Sequence, residues 1–275
     1  ATIVKGQTHS YSFSLSSDAR ATFDSLSRDI SGADSYYLHW ALTGPRGTLV
    51  SDRPFRSSDS SDGVSILDLV AGDYTLSITS TNDVAGDYAF RLMDLAQATV
   101  FAAGDRIDGV FDPANETDLV AFDAVAGQAY YFDVIARSGG DARWTLLDPF
   151  GRAAFQQRDF NSINASGDHG PTTLELSGRY TLLLEARYYR ADTGSYSLRV
   201  QPVSNETLPL ALDVVQNQSI AHAGQVDTYN FTLAEAKRVY FDSLTANVAG
   251  RDSWYLRWTL SGPTGVLVAD RSFRE

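Results

Sequence analysis

Along most of this chain hydrophobic and polar residues alternate with a period of two, the pattern of strands that bury one face. His9, Tyr11, Phe13 and Leu15 interleave with Ser10, Ser12 and Ser14, and the same strand returns as Val120, Phe122 and Ala124 and again as Tyr229, Phe231 and Leu233. Each is followed by an aromatic strand, TFDSL, YYFDVIA or VYFDSL, in which Phe23, Phe132 or Phe241 stands beside an aspartate that must point to the opposite face. These read as half-buried strands. The next is YYLHWALTG, RWTLLD or YLRWTLSG, with Leu38, Trp40 and Leu42 on one face, as are Trp144 and Leu146, and Leu256, Trp258 and Leu260. It ends in GPRG, DPFG or GPTG, where proline sets φ at the second turn position and glycine tolerates the fourth, the chemistry of a hairpin. TLVSDRPF, RAAFQQRDF and VLVADRSF are then return strands, and VSILDLVAGDYTLSITS with GDYAFRLMDL, or TTLELSGRYTLLLEA with GSYSLRVQPV, close the unit. No stretch keeps a helical period. The pattern predicts an all-β chain of antiparallel, jelly-roll-like β-sandwiches.

The units are copies of one another, and those two apart match best. Ala21 to Arg56 returns as Val239 to Arg274 without a gap, at a constant displacement of 218 residues, Phe23 to Phe241, Trp40 to Trp258 and Gly47 to Gly265. A diverged copy lies between, so the unit is roughly 105 to 110 residues, a normal domain size. Boundaries near Leu95 and Val203 give three segments, 1–95, 96–203 and 204–275. The second and third open with an extra piece, ATVFAAGDRIDGVFDP or LPLALDVVQNQSIAHAG; the first is expected to lack it, because Gly6 aligns with Gly224 and His222 with Val4. The third stops where the first has about 40 residues to run, by the same repeat reading. The chain is therefore expected to open and close inside domains of a longer array, elongated and semi-rigid because linkers such as MDLAQA and QPVSNETLP are short.

Repetition bears on function. An active site needs residues that occur once, whereas serial modules suit extension, display or multivalent binding. The formal charge of −12 argues against nucleic acid and anionic membrane surfaces as partners. No apolar run approaches the roughly 18 residues of a membrane span, so membrane insertion is not expected. The chain has no cysteine, which favours bacterial export or an intracellular site over a disulfide-bonded secreted array.

Asp118 to Ala136 (DLVAFDAVAGQAYYFDVIA), followed by GGDARWTLLDPFG and closed by SGRYTLLLEA and GSYSLRV, resembles the bacterial pre-peptidase C-terminal type of β-sandwich. The resemblance covers the second unit and, more loosely, the others, where the Ala-Gly-Gln turn becomes SDAR or AEAK. It implies an exported, secreted or cell-surface module of bacteria, appended to hydrolases or arrayed in adhesins and other repetitive surface proteins. With no peptidase motif present, the array reading gains.

Catalytic candidates thin out quickly. His9, His39, His169 and His222 are the only histidines, none is shared by the copies, and GxSxG, HExxH and phosphate-loop patterns are absent. No enzyme and no cofactor is expected, with one open case. Calcium takes oxygens from flexible loops, and two clusters offer them: SSDSSDG with Asp59 and Asp62, and DPANETD with Asp112, Asn115, Glu116 and Asp118. For ligand binding, alternation sends Trp40 into the core and leaves Tyr37 and His39, with Tyr255 and Arg257 in the third copy, on the outward face. Asp52-Arg53 and Asp270-Arg271 recur in the outer copies and are inverted to Arg158-Asp159 in the middle one. The expected function is that of non-catalytic structural or extender repeats, whose partners are the neighbouring repeats. The alternative is a module that binds glycan or a cell-surface protein through multivalency, and the opening strand of the third copy adds head-to-tail self-association by strand donation.

Overall fold

A computed structural model describes residues 1–27, 29–30, 33–57, 66–81, 83–160, 167–187, 192–244 and 253–274. The chain divides into two compact units, Ala1–Leu208 with Val215–Tyr229, and Pro209–Val214 with Asn230–Glu275. The described residues are strands, turns, short 3-10 helices and irregular stretches; 231–244, where the third copy was expected to carry Phe231 and Leu233 and the strand VYFDSL, form no strand.

The first unit holds two sandwiches with separate cores. In the first, the four-stranded sheet Thr8–Leu15, Gly72–Ser80, Leu38–Gly44, Gly47–Pro54 faces the three-stranded sheet Phe90–Asp94, Ala19–Ser25, Ile66–Leu69. In the second, Thr99–Val100, Thr117–Ala124, Gly178–Ala186, Ala142–Leu147, Ala153–Asp159 faces Arg106–Phe111, Gly194–Pro202, Ala129–Arg137, His169–Thr173. Pairing is antiparallel except at Thr99–Val100, which runs parallel to Val120–Ala121. The linker Leu95–Gln97 is a 3-10 turn capped by Asp94, whose carboxylate accepts from the Ala96 amide at 2.9 Å, and it delivers the chain to that edge.

An aromatic nucleus recurs in every copy. Phe23 stacks on Trp40 at 4.2 Å and meets Phe55 edge-on at 5.2 Å; in the second unit, Phe241 stacks on Trp258 at 4.1 Å and meets Phe273 edge-on at 5.3 Å. In the middle copy Phe132 turns edge-on to Trp144 at 6.0 Å. The alternation of Leu38, Trp40 and Leu42 is inward as expected, all three being buried.

Register refines three of the sequence expectations. The first sandwich does carry the end of an opening strand: Thr2–Ile3 pairs with Gly86–Asp87 as Val110 and Phe111 pair with Ser195 and Gly194, and Ile3 is fully buried. A recurring turn shows the equivalence. The Gln7, Glu116 and Gln225 amides donate to the Val4, Pro113 and His222 carbonyls at 3.0, 3.0 and 3.3 Å, matching Val4 with His222 as the alignment expects. The Asp-Arg dipeptide is not inverted in the middle copy. Arg53, Arg158 and Arg271 all lie opposite the tryptophan, Trp40, Trp144 and Trp258, beside a bulge present in each hairpin; it is the aspartate that moves, from the bulge (Asp52, Asp270) to the position after the arginine (Asp159). Lastly, Ala19–Ser25 is buried on both faces at its end, where a half-buried strand was expected: Thr22, Phe23, Asp24 and Ser25 are all buried.

Gly44 lies against the face of Tyr74, where a Cβ would fall 2.1 Å from Cε1 of the ring. Gly44→Ala is expected to destabilise the first sandwich by about 1 to 3 kcal/mol through overpacking, measurable by urea denaturation; an unchanged midpoint would contradict this packing.

Candidate functional site

The site begins with the second face of Ala19–Ser25. Alternation sends Phe23 into the first core and Asp24 away from it, into the junction with the second sandwich, where Asp24 is fully buried. Arg91, its cross-strand partner, donates to Asp24 Oδ2 from Nε (2.9 Å) and from an Nη2 (2.6 Å). The same guanidinium donates to the Thr117 carbonyl at 2.9 Å and lies 3.3 Å from the Glu116 carboxylate, both in the second sandwich. Asn115 Nδ2 donates to the Ser25 carbonyl at 2.7 Å, and Arg20 reaches from the first sandwich to the Pro149 carbonyl at 3.0 Å. Between these polar ends runs an apolar seam of Leu95, Ala98, Leu119, Ala121, Leu147 and Leu183.

The seam explains a difference between copies. Thr8–Leu15 alternates with serines, whereas its counterpart reads Leu119-Val120-Ala121-Phe122, apolar on both faces. Val120 and Phe122 enter the second core while Leu119 and Ala121 enter the seam; Leu182, Leu183 and Leu184 divide in the same way. A strand buried on both faces loses its alternation.

Several acids meet one cation here. Burial is the largest influence on Asp24 and raises it from 3.8 to about 6 against the opposing pull of Arg91. Glu116 is raised, first by burial and further by Asp118 and Asp24. Asp118 is raised by burial although the Tyr196 hydroxyl donates to it at 2.8 Å. Asp24 therefore holds its proton more tightly folded than unfolded. Its contribution to stability is complete below about pH 3.8 and is lost as the pH rises through about 6.

Of the calcium candidates, Asp59 and Asp62 lie outside the described residues. Asn115 and Glu116 are tied into the junction, Asp118 accepts from the Tyr196 hydroxyl of its own sandwich, and the Asp112 backbone amide donates to Glu116. Among the described residues no group of three or more His, Asp or Glu side chains is arranged to hold a metal ion. The histidines are separate: His9 bonds to the Tyr88 hydroxyl (2.7 Å), His39 to Asp52 (2.6 Å), and His169 packs 4.4 Å from Phe155.

The outward surface of the Trp40 hairpin differs from expectation by one residue. Tyr37 closes the 3-10 turn Ser35–Tyr37, and its carbonyl accepts from Thr81; Tyr36 is the ring facing His39, 6.0 Å away and edge-on. In the third copy Tyr255 is exposed, yet Trp254 lies beneath the Arg257 guanidinium at 5.5 Å. Arg257 binds Asp270 at 2.6 Å, matching His39 and Asp52. Both copies thus present an aromatic ring, a nitrogen base or cation and a carboxylate in one order. The middle copy keeps Arg143 near Asp159 (3.8 Å) and has Gly140 in place of the aromatic residue. The 218-residue displacement linking Tyr36 to Trp254 was the signal that could have singled out this pair.

No family model matches the chain, and no curated protein matches it. Among solved structures, the periplasmic g-type lysozyme inhibitor PliG of Aeromonas hydrophila is 18% identical over 38% of this chain and 99% of its own, at a TM-score of 0.26. PliG of Salmonella Typhimurium is 23% identical over 38% and 100%, also at 0.26. The CUB1-EGF-CUB2 region of human MASP-1/3 is 8% identical over 71% and 94%, at 0.22. At such TM-scores none of these likenesses bears on function. No described helix is long and apolar enough to cross a membrane.

Arg91→Ala leaves a buried carboxylate alone and is expected to cost about 3 kcal/mol of stability at pH 8. The cost should shrink at pH 5, where Asp24 takes up a proton. Denaturant titrations at both pH values check this, and equal losses would contradict it.

Proposed function

We propose that this chain is a non-catalytic structural segment of an exported bacterial surface protein, built from tandem sandwiches, in which the joint between the first two fixes the direction of one relative to the other. The observation that carries this reading is the junction itself. A fully buried Asp24, bound to Arg91, is tied through that arginine to Thr117 and Glu116 of the second sandwich, with an apolar seam alongside. A flexible tether between independent binding domains needs no such contact, and interfaces between loosely linked domains are ordinarily more polar and mobile. The absence of cysteine and the acidic surface suit bacterial export.

A second reading, weak binding of glycan or protein multiplied by repetition, rests on the ring, base and carboxylate shared by Tyr36, His39 and Asp52 and by Trp254, Arg257 and Asp270. On the structural reading, glycan arrays and surface-protein panels give no saturable binding to the whole chain, and Tyr36→Ala with Trp254→Ala changes nothing. Reproducible binding abolished by those two substitutions would replace it with the binding one.

A further inference from the structure

The pair of residues at the first joint returns one sandwich later. Asp24 and Arg91 stand opposite each other on Ala19–Ser25 and Phe90–Asp94, and their neighbours Phe23 and Leu92 pack in the first core. Asp133 and Arg199 stand opposite each other on Ala129–Arg137 and Gly194–Pro202, and their neighbours Phe132 and Val200 are buried in the second core. Directly opposed residues of an antiparallel pair share a face, so Asp133 and Arg199 lie together on the outward one. Tyr131, two residues before Asp133, lies there too. Both members of the pair are half-buried, and Arg199 Nε is buried with no hydrogen-bond partner among the described residues.

The turn that meets this face comes from the next copy. Pro113–Thr117 brings Asn115, Glu116 and the Thr117 carbonyl onto the first sandwich, and its counterpart is His222–Val226, since the Glu116 and Gln225 amides donate to the Pro113 and His222 carbonyls alike. His222–Val226 lies within Val215–Tyr229, part of the same compact unit as the second sandwich. Gly224 holds the place of Asn115 and has a φ of +78°; a Cβ on it would fall 2.7 Å from Cδ2 of the Tyr131 ring and 3.3 Å from the Tyr131 Cβ. The turn therefore rests on the ring beside Asp133, where a residue with a side chain could not approach so closely. The Val226 amide, which follows the turn, is held by Asn205 Oδ1 at 2.9 Å.

We propose that the outward face of Ala129–Arg137 and Gly194–Pro202 is a docking surface for the turn His222–Val226, with Tyr131 as its platform and the Asp133–Arg199 pair as its polar anchor. The proposal rests on the reading of the chain as jointed modules. Gln225 stands where Glu116 does and Thr228 where Leu119 does, so this seat lacks a carboxylate and an apolar side chain that the first joint has, and it is the weaker of the two. Its loss would leave the contacts of Arg91 in place, whereas saturable glycan binding would remove the structural reading without touching the seat.

The whole chain carrying Tyr131→Cys and Gly224→Cys tests the anchor, because the two Cβ positions lie close to disulfide separation and the chain has no other cysteine. An intrachain disulfide is expected to form in the monomer under mild oxidation. Adding Arg199→Ala should slow its formation by about tenfold. Arg199→Lys, which keeps the charge, should lie nearer the parent than Arg199→Ala does, and Arg91→Ala, at the first joint, should leave the rate as it was. No intrachain disulfide, an unchanged rate with Arg199→Ala, or an equal loss with Arg199→Lys or with Arg91→Ala would overturn the proposal.

Discussion

The organisation of the first unit depends on one carboxylate that has no access to water. Asp24 is fully buried, and an isolated buried charge is so costly that a counter-charge must be held against it. Arg91 supplies that charge, and the Nη2 that bonds Asp24 also donates to the Thr117 carbonyl of the neighbouring sandwich. Buried ion pairs contribute little net stability compared with apolar packing; Asp24 and Arg91 lie on neighbouring strands of the first sandwich, and it is the contacts of Arg91 with Thr117 and Glu116 that a change of orientation would break. Apolar contact along Leu95, Leu119, Leu147 and Leu183 favours association; the Asp24–Arg91–Thr117 chain selects one orientation of it.

The copies diverge according to what their faces must cover. The middle copy has leucine and alanine where the first has serine, because Leu119, Ala121 and Leu183 form the seam. All three keep the Phe-Trp contact and the hairpin bulge; in the first two the pair lies in a buried core, whereas Phe241 of the third is exposed. Of the loop from Asp112 to Asp118, Asn115 and Glu116 contact the first sandwich across the junction.

Much of the fold was legible in the sequence because strand alternation and turn chemistry are local. His9 to Leu15, Leu38 to Leu42 and the GPRG and DPFG turns formed the strands and hairpins expected of them. The junction was not legible, because Asp24 and Arg91 are 67 residues apart and both carry residue types that ordinarily face solvent. Its signal was indirect: the loss of alternation in Leu182-Leu183-Leu184. In the first copy the ring beside His39 is Tyr36 rather than Tyr37, since a 3-10 turn precedes the strand and strict alternation does not extend through it, whereas in the third copy Tyr255 is exposed as expected and Trp254 lies beside Arg257. The strand Thr2–Ile3 that opens the first sandwich was missed because it is only two residues long.

The central claim is that the first two sandwiches hold one fixed orientation through Asp24 and Arg91. The chain has no native cysteine, so Thr48→Cys and Val125→Cys, at exposed positions of the two sandwiches, allow a pair of spin labels to report the distance between them by double electron–electron resonance. A single narrow distance distribution is predicted, broadening when Arg91→Ala is added. A broad distribution in the otherwise native chain, or a narrow one that Arg91→Ala leaves unchanged, would contradict the account.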